Sequence, residues 1–296
     1  MDALTLEPAV ELTYGRLSRL LNRAYGDYFV PVWLDPYQFE QMCEDMDVDL
    51  ARSVVALVGE RAVGLALLSV RGAEGWISGV GVRPGWRRRG VGRRMIEHLQ
   101  ALARNSGLER LRLEVLEQNE GAIALYEDLG FRHERDLLVL TKAPDQAVRS
   151  DSDEAELSEP EDRAIKGAPP RWLLGFHARF HEVDPSWQRD LLSLKNRAPR
   201  LEGLAFWKAQ DLVGYCLYVR QPDLISVMDL AAEPACPNRA RAGELLLRNL
   251  HQERPTLGGQ VVNLPGEDPM LPAFTGTGYR VWQRQHEMVW LVPHPT

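Results

Sequence analysis

The residues of this chain best suited to chemistry are Arg87-Arg88-Arg89-Gly90-Val91-Gly92, with Arg93 following. They come after the strand-like run Trp76 to Val82 and the turn Arg83-Pro84-Gly85-Trp86, and they open a segment in which Val91, Met95, Leu99 and Leu102 recur at helical spacing. The first turn of a helix carries N–H groups with no intrahelical partner and the positive end of the helix dipole. A glycine-lined entry lets a diphosphate approach those donors directly, and the arginines add charge. Two other phosphate-binding readings fail. Gly90-Val91-Gly92-Arg93-Arg94-Met95 lacks the third glycine of a dinucleotide fingerprint, and no G-K-[ST] follows for a P-loop. His177 and His181, four apart, suit two ligands on one helix face, but no Glu follows His177 and no third ligand is evident. They read as surface or core histidines, and no metal is expected.

The elements that must position these residues follow from periodicity. Leu17, Leu20, Leu21 and Ala24 have helical spacing, and Pro36 to Met46 suits a second short helix. Val54 to Val58 and Val63 to Val70 flank Gly59-Glu60-Arg61 as a hairpin, and Trp76 to Val82 continues the meander. Beyond the glycine-led helix, Leu111, Leu113 and Val115 alternate with Arg112 and Glu114 as a strand. Ala122 to Leu129 is helical with Gly130 as its stop, and Asp136 to Thr141 closes the sheet. The order ααβββαβαβ implies an α+β fold, an α/β/α sandwich whose mixed, mostly antiparallel sheet has helices on both faces.

The second half repeats the plan. Val63-Gly64 matches Val213-Gly214, Pro84 matches Pro234, and Gly130-Phe131 matches Gly278-Tyr279 at nearly constant separation. Between Ala143 and Pro170 aromatic residues vanish and acids crowd, from Asp151 to Asp162. Tandem domains at 1–142 and 171–296 joined by an acidic flexible linker at 143–170 are therefore expected. A length of 296 residues suits two such units.

Composition narrows the partners. A formal charge of -7 argues against a dedicated nucleic-acid binder and favours a small cationic or amine substrate. Met1 to Leu12 carries acids where an export signal needs a basic region. The apolar stretch Ser53 to Val70 is broken by Gly59-Glu60-Arg61, so no membrane span is expected. Cys43, Cys216 and Cys236 form no C-x-x-C pair and are odd in number, which suggests a reducing cytoplasm.

A second motif sharpens the reading. Leu113-Glu114-Val115-Leu116-Glu117-Gln118-Asn119 is followed by Ala122-Ile123-Ala124-Leu125-Tyr126 and Leu129-Gly130-Phe131. With Arg87-x-x-Gly90-x-Gly92 after a central strand, the chain resembles the GNAT superfamily of N-acetyltransferases, here as a tandem member with a degenerate second copy. That resemblance implies acetyl-CoA as co-substrate. The N–H groups from Arg88 through Arg89, Gly90, Val91 and Gly92 to Arg93 would hold the pyrophosphate, and the strand at Val80, Gly81 and Val82 would pair with the pantetheine arm. Asn119 would contact the cofactor, and the Tyr126 hydroxyl would face the thioester sulfur. A phenol of pKa about 10 is neutral at pH ~7 and can protonate a departing thiolate, which makes Tyr126 the general acid. Glu114 is the candidate base, by similarity to ribosomal-protein N-terminal acetyltransferases; a strand glutamate there also reads as a partner for Arg112 or Arg132. Tyr25, Tyr28, Phe29 and Trp33 would contribute to the acceptor side.

In the second copy the matching positions have changed. Arg87 corresponds to Pro237, Gly90 to Ala240, Gly92 to Ala242, Tyr126 to Phe274, Asn119 to Glu267 and Glu114 to Val262. The expected activity is direct acetyl transfer to a primary amine, a small molecule or a peptide N-terminus, in a cytoplasmic monomer or homodimer, with catalysis in the first domain. The alternative is a non-catalytic acyl-CoA sensor. A mycothiol-synthase-like enzyme would carry its competent copy on the C-terminal side, the reverse of what is seen here.

Overall fold

The computed structural model describes residues 3–144 and 163–293. The chain divides into two compact units, Met1–Arg135 with His286–Thr296, and Asp136–Gln285. Among the described residues no helix is long and apolar enough to cross a membrane.

In the first unit, strand β1 (Leu4–Pro8) precedes helices α1 (Tyr14–Ala24) and α2 (Pro36–Asp45). Asp35 and Gln38 form a capping box that starts α2, with Pro36 at its first turn. Strands β2 (Val54–Val58), β3 (Arg61–Arg71) and β4 (Glu74–Val82) form the meander, and α3 (Val91–Asn105), β5 (Arg110–Leu116) and α4 (Glu120–Asp128) follow. β1, β2, β3 and β4 pair antiparallel in turn, whereas β4 and β5 are parallel. Alternation sorts the side chains by face. Val54, Ala56, Val63 and Leu68 join Met95, Leu99 and Val115 in one core, while Val55, Leu57, Leu65 and Leu67 join Leu17, Leu21 and Phe39 in the other. Helices α3 and α4 thus cover one face, and α1 and α2 the opposite one.

Strand β6 (Arg132–Lys142) ends the first repeat, and its residues from Asp136 onward lie in the second unit, where Leu140 pairs with Val261 of β11 (Gly258–Pro265). Strands β7 (Arg163–Gly167), β8 (Glu202–Lys208), β9 (Asp211–Arg220) and β10 (Leu224–Ala232) complete this unit in the order β6-β11-β10-β9-β8-β7. β10 and β11 are its parallel pair. The short helices α5 (Pro170–Leu173), α6 (His177–Phe180) and α7 (Leu191–Arg197) supply one core, and α8 (Arg239–Gln252) and α9 (Leu271–Gly276) the other.

Three features depart from the sequence expectation. β1 was not anticipated, because five residues of an edge strand with two half-buried leucines give too short a pattern. Arg163–Gly167, inside the expected linker, is a strand paired with β8, again at an edge where charged residues are tolerated. The linker residues 145–162 lie outside the described residues. Finally, the expected boundaries at 142 and 171 do not coincide with the compact units, because the two repeats divide their last strands. Strand β12 (Arg280–Leu291) carries its end into the first unit, where Met288, Trp290 and Val292 are buried in the core that also holds Tyr126 and Phe131. The Trp290 ring lies 6.4 Å from that of Phe131 and beneath the Arg104 guanidinium at 4.9 Å.

Trp290→Ala is therefore expected to destabilise the first unit by about 3–5 kcal/mol. Trp282→Ala, at a residue 47% exposed, should change stability by less than about 0.5 kcal/mol. Urea unfolding monitored by circular dichroism tests both, and equal small effects would show that the borrowed strand contributes little.

Candidate functional site

In the first unit the parallel pairing of β4 with β5 runs only from Glu74↔Arg110 to Ile77↔Leu113. At that point a bulge sets Ser78 outside the β3–β4 register, between Ile77 opposite Leu68 and Gly79 opposite Leu67. Beyond it the two strands part, and the edge of β4 from Val80 to Val82 faces a gap. Two carbonyls on that edge take side-chain donors: Tyr25 Oη donates to Val80 O at 3.1 Å and Arg87 Nε to Val82 O at 3.0 Å. The N–H and C=O of a strand residue point the same way, so the N–H groups of Val80 and Val82 also face the gap. Gly81 points instead towards α1, where an added Cβ would lie 2.8 Å from Ala24 Cβ and 3.0 Å from the Tyr25 ring.

Helix α3 begins at the open end of this gap. Its N-cap is Gly90, at φ 77°, with no side-chain cap, and Arg88 is also left-handed at φ 60°. The first N–H to bond back along the chain at this end is that of Arg94, to Gly90 O at 3.1 Å. The N–H groups of Val91, Gly92 and Arg93 precede it in the uncapped first turn. A Cβ at Gly90 would meet nothing within 4 Å, so the approach to these donors is clear. At Gly92 a Cβ would make ordinary contact with Leu125 at 3.5 Å, so an alanine would also fit. This cradle fits a diphosphate.

The arginine run is divided among other tasks. Arg87 holds Asp27 through its two terminal guanidinium nitrogens, at 2.9 and 2.6 Å, and donates to Ala24 O at 2.8 Å. The Asp27 carboxyl is correspondingly held below its ordinary pKa by this hydrogen-bonded partner. Arg89 lies over the Trp86 ring at 5.1 Å, and Arg93 pairs with Asp128. Arg87 therefore latches the segment between α1 and α2, which carries Tyr25 and Tyr28. No sequence signal connected Arg87 to Asp27, sixty residues away.

Four predicted residues converge at the gap. Tyr25 and Tyr28 are in edge contact at 4.9 Å, and Tyr28 hydrogen-bonds the Asn119 side chain. Tyr126 lies buried close by: burial raises its pKa well above 10, and the neighbouring Tyr25 and Tyr28 push the same way. Its hydroxyl therefore stays protonated. Glu114 sits on the face of β5 opposite Leu113 and Val115, with Oε1 buried. Phe29 and Trp33 are 51% and 70% exposed on the same segment as Tyr28.

The second unit, by itself, has the same frame with different contents. β10 and β11 pair only from Leu224↔Gly258 to Ser226↔Gln260, and Met228 forms the bulge. The N-terminus of α8 is capped by Asn238, whose Oδ1 accepts from Arg241 N at 3.2 Å. In place of Gly79 stands Asp229, buried and bonded by Tyr215 Oη at 2.7 Å and His181 Nε2 at 3.0 Å. Burial works against both charges, but each partner outweighs it: Asp229 is held well below the carboxylate range and His181 is pushed up to about 9. Phe274, at the position matching Tyr126, is fully buried and has no hydroxyl.

Residues 18–131 match the family model described as Acetyltransferase (GNAT) family. Over 72 residues, 24% of this chain and 49% of the relative, the chain is 40% identical to the [ribosomal protein bS18]-alanine N-acetyltransferase of Salmonella typhimurium. Over 98 residues, 31% of this chain and 61% of the relative, it is 30% identical to the thialysine N-epsilon-acetyltransferase of Caenorhabditis elegans. The chain thus covers less than two thirds of either relative. Among solved structures, a tandem GNAT protein from the clavulanic acid biosynthesis pathway superposes with TM-score 0.71 at 16% identity, covering 99% of this chain and 100% of that one. A GCN5-related N-acetyltransferase from Sphaerobacter thermophilus gives 0.69 at 16% identity, covering 100% and 98%. These likenesses establish the tandem fold.

The close approach of α1 to β4 makes Gly81 sensitive. Gly81→Ala should cost about 1–3 kcal/mol by overpacking, whereas Gly85→Ala, where a Cβ meets nothing within 4 Å, should be nearly neutral. Chemical denaturation of the two variants checks the difference, and equal stabilities would contradict the packing described.

Proposed function

We propose that the first unit moves an acetyl group from acetyl-CoA to a primary amine by direct attack, a reading supported by the match of residues 18–131 to the Acetyltransferase (GNAT) family model. The observation that carries this reading is the junction of an uncapped, unobstructed α3 N-terminus with a gap between parted strands, together with the grouping of Tyr126 and Asn119 with Tyr25 and Tyr28. In this reading the N–H groups from Arg88 to Arg93 hold the pyrophosphate, and those of Val80 and Val82 hold the pantetheine arm. Acetyl-CoA supplies an activated acyl group and a thiolate leaving group.

The chain's own groups do the rest. A backbone N–H of β4 stabilises the negative charge that develops on the carbonyl oxygen. Tyr126, kept protonated by burial, gives its proton to the departing sulfur. Glu114 takes a proton from the amine, directly or through water. The acceptor class includes the small-molecule amine and the peptide N-terminus; the 40% identity over 72 residues to the bS18-alanine acetyltransferase supports the second. In the second unit the Asn238 cap takes one of the donors a pyrophosphate would need, that of Arg241, and Phe274 offers no proton, which supports catalysis by the first unit alone.

Two variants test the reading. Tyr126→Phe should lower kcat by about 10²–10⁴-fold while leaving acetyl-CoA affinity within about threefold, measured by thiol release on an amine panel and by calorimetric titration. Unchanged turnover would remove Tyr126 from the chemistry, and binding without any turnover in the wild-type protein would favour a sensor. Gly90→Asp puts a carboxylate among the α3 donors and should weaken acetyl-CoA binding at least about tenfold, equivalent to about 1.4 kcal/mol. Undiminished affinity would place the diphosphate elsewhere.

A further inference from the structure

Helix α6 and the residue after it carry His177 and His181 one turn apart, their rings stacked at 4.1 Å. Asp229 reaches them from the bulged part of β10. His181 Nδ1 lies 2.9 Å from the His177 carbonyl, which accepts its proton and leaves Nε2 directed at Asp229 Oδ1, 3.0 Å away. The His177 ring hydrogen-bonds the Arg189 backbone, while its Nε2 is buried and has no hydrogen-bond partner. That bond therefore sits at Nδ1. Tyr215 holds the other carboxylate oxygen, Oδ2, at 2.7 Å.

Both imidazoles are thus anchored through Nδ1, which leaves Nε2 of each for another partner, and one ligand atom each of His177, His181 and Asp229 lies within 4.8 Å of the others. Such anchoring of the distal ring nitrogen by a carbonyl is what orients metal-binding histidines. An ion pair between His181 and Asp229 accounts for two of the three groups. It gives no role to the His177 Nε2, which is buried without a hydrogen-bond partner at a residue 5% exposed.

We propose that His177, His181 and Asp229 form a binding site for one divalent cation of the zinc type in the second unit. Two imidazoles and a carboxylate are a ligand set zinc accepts, at about 2.0–2.2 Å from each atom. Ligands at that distance stand roughly 3.3–3.5 Å apart, so loading requires a closure of no more than roughly 1.5 Å. His181 also lines a small pocket with Glu182, Leu230, Asp268 and Met270. Coordination replaces the proton that otherwise bridges His181 and Asp229, so loading releases a proton. The bound cation would cross-link α6 to β10 at the place in the repeat where the first unit keeps its gap open. The sequence shows only the two histidines, because the third ligand lies 48 residues further on in another element.

The test uses the full chain, stripped with chelator, incubated with Zn²⁺ or Co²⁺ and desalted. About one metal ion per chain by mass spectrometry, with visible Co²⁺ bands of the intensity typical of four- or five-coordinate sites, is the expected result. His177→Gln and Asp229→Asn should each retain at least about tenfold less metal, with circular dichroism confirming that they fold. The double variant His133→Ala/His286→Ala, which alters a histidine pair in the first unit, should keep it. A wild-type chain that retains no metal overturns the proposal whatever the variants do. So does retention by His177→Gln and Asp229→Asn, or loss in the His133/His286 double variant.

Discussion

The site in the first unit depends on one constraint: parallel strands β4 and β5 stop pairing after Ile77 and Leu113. A sheet ordinarily satisfies every interior backbone group with a neighbouring strand. Once β5 diverges, the β4 edge from Val80 to Val82 needs other partners. The bulge at Ser78 starts the change, and the glycines at 79 and 81 let α1 lie close enough for Tyr25 to reach Val80 O. The remaining N–H groups are thereby turned towards a gap that ends at the α3 N-terminus.

The same frame occurs twice with opposite contents. Both units have a short parallel pairing followed by a bulge. In the first, glycines stand at these positions and the helix start has no side-chain cap. In the second, a carboxylate at the glycine position draws in His181 and Tyr215, and an asparagine satisfies the helix start internally. The two units thus differ here without a change of fold, through the side chains placed around the same backbone.

Arg87 illustrates how a motif residue can act through another element. Its type and position suggested charge for an anion, whereas its guanidinium is committed to Asp27, Ala24 O and Val82 O. The consequence is a fixed position for Tyr25 and Tyr28, and through Tyr28 for Asn119. Trp33 and Phe29 remain exposed on that segment.

The glycine-led helix start, the alternation of β5 and the Leu113-to-Phe131 motif were legible without coordinates. Periods of 2 and 3.6 and the absence of Cβ atoms are local properties that a linear string records. Edge strands β1 and β7 escaped because short, half-exposed segments carry little periodic signal. Contacts between distant elements were decided by tertiary structure alone: Arg87 with Asp27, Tyr28 with Asn119, Trp290 in the first core and Asp229 against two histidines. The physical reason is that side-chain partnership depends on where strands bulge, part and exchange, and those events are set by packing across the whole unit. The sequence by itself determined the periodic elements and the glycine-led helix start; only the folded chain determined which side chains answer one another across them.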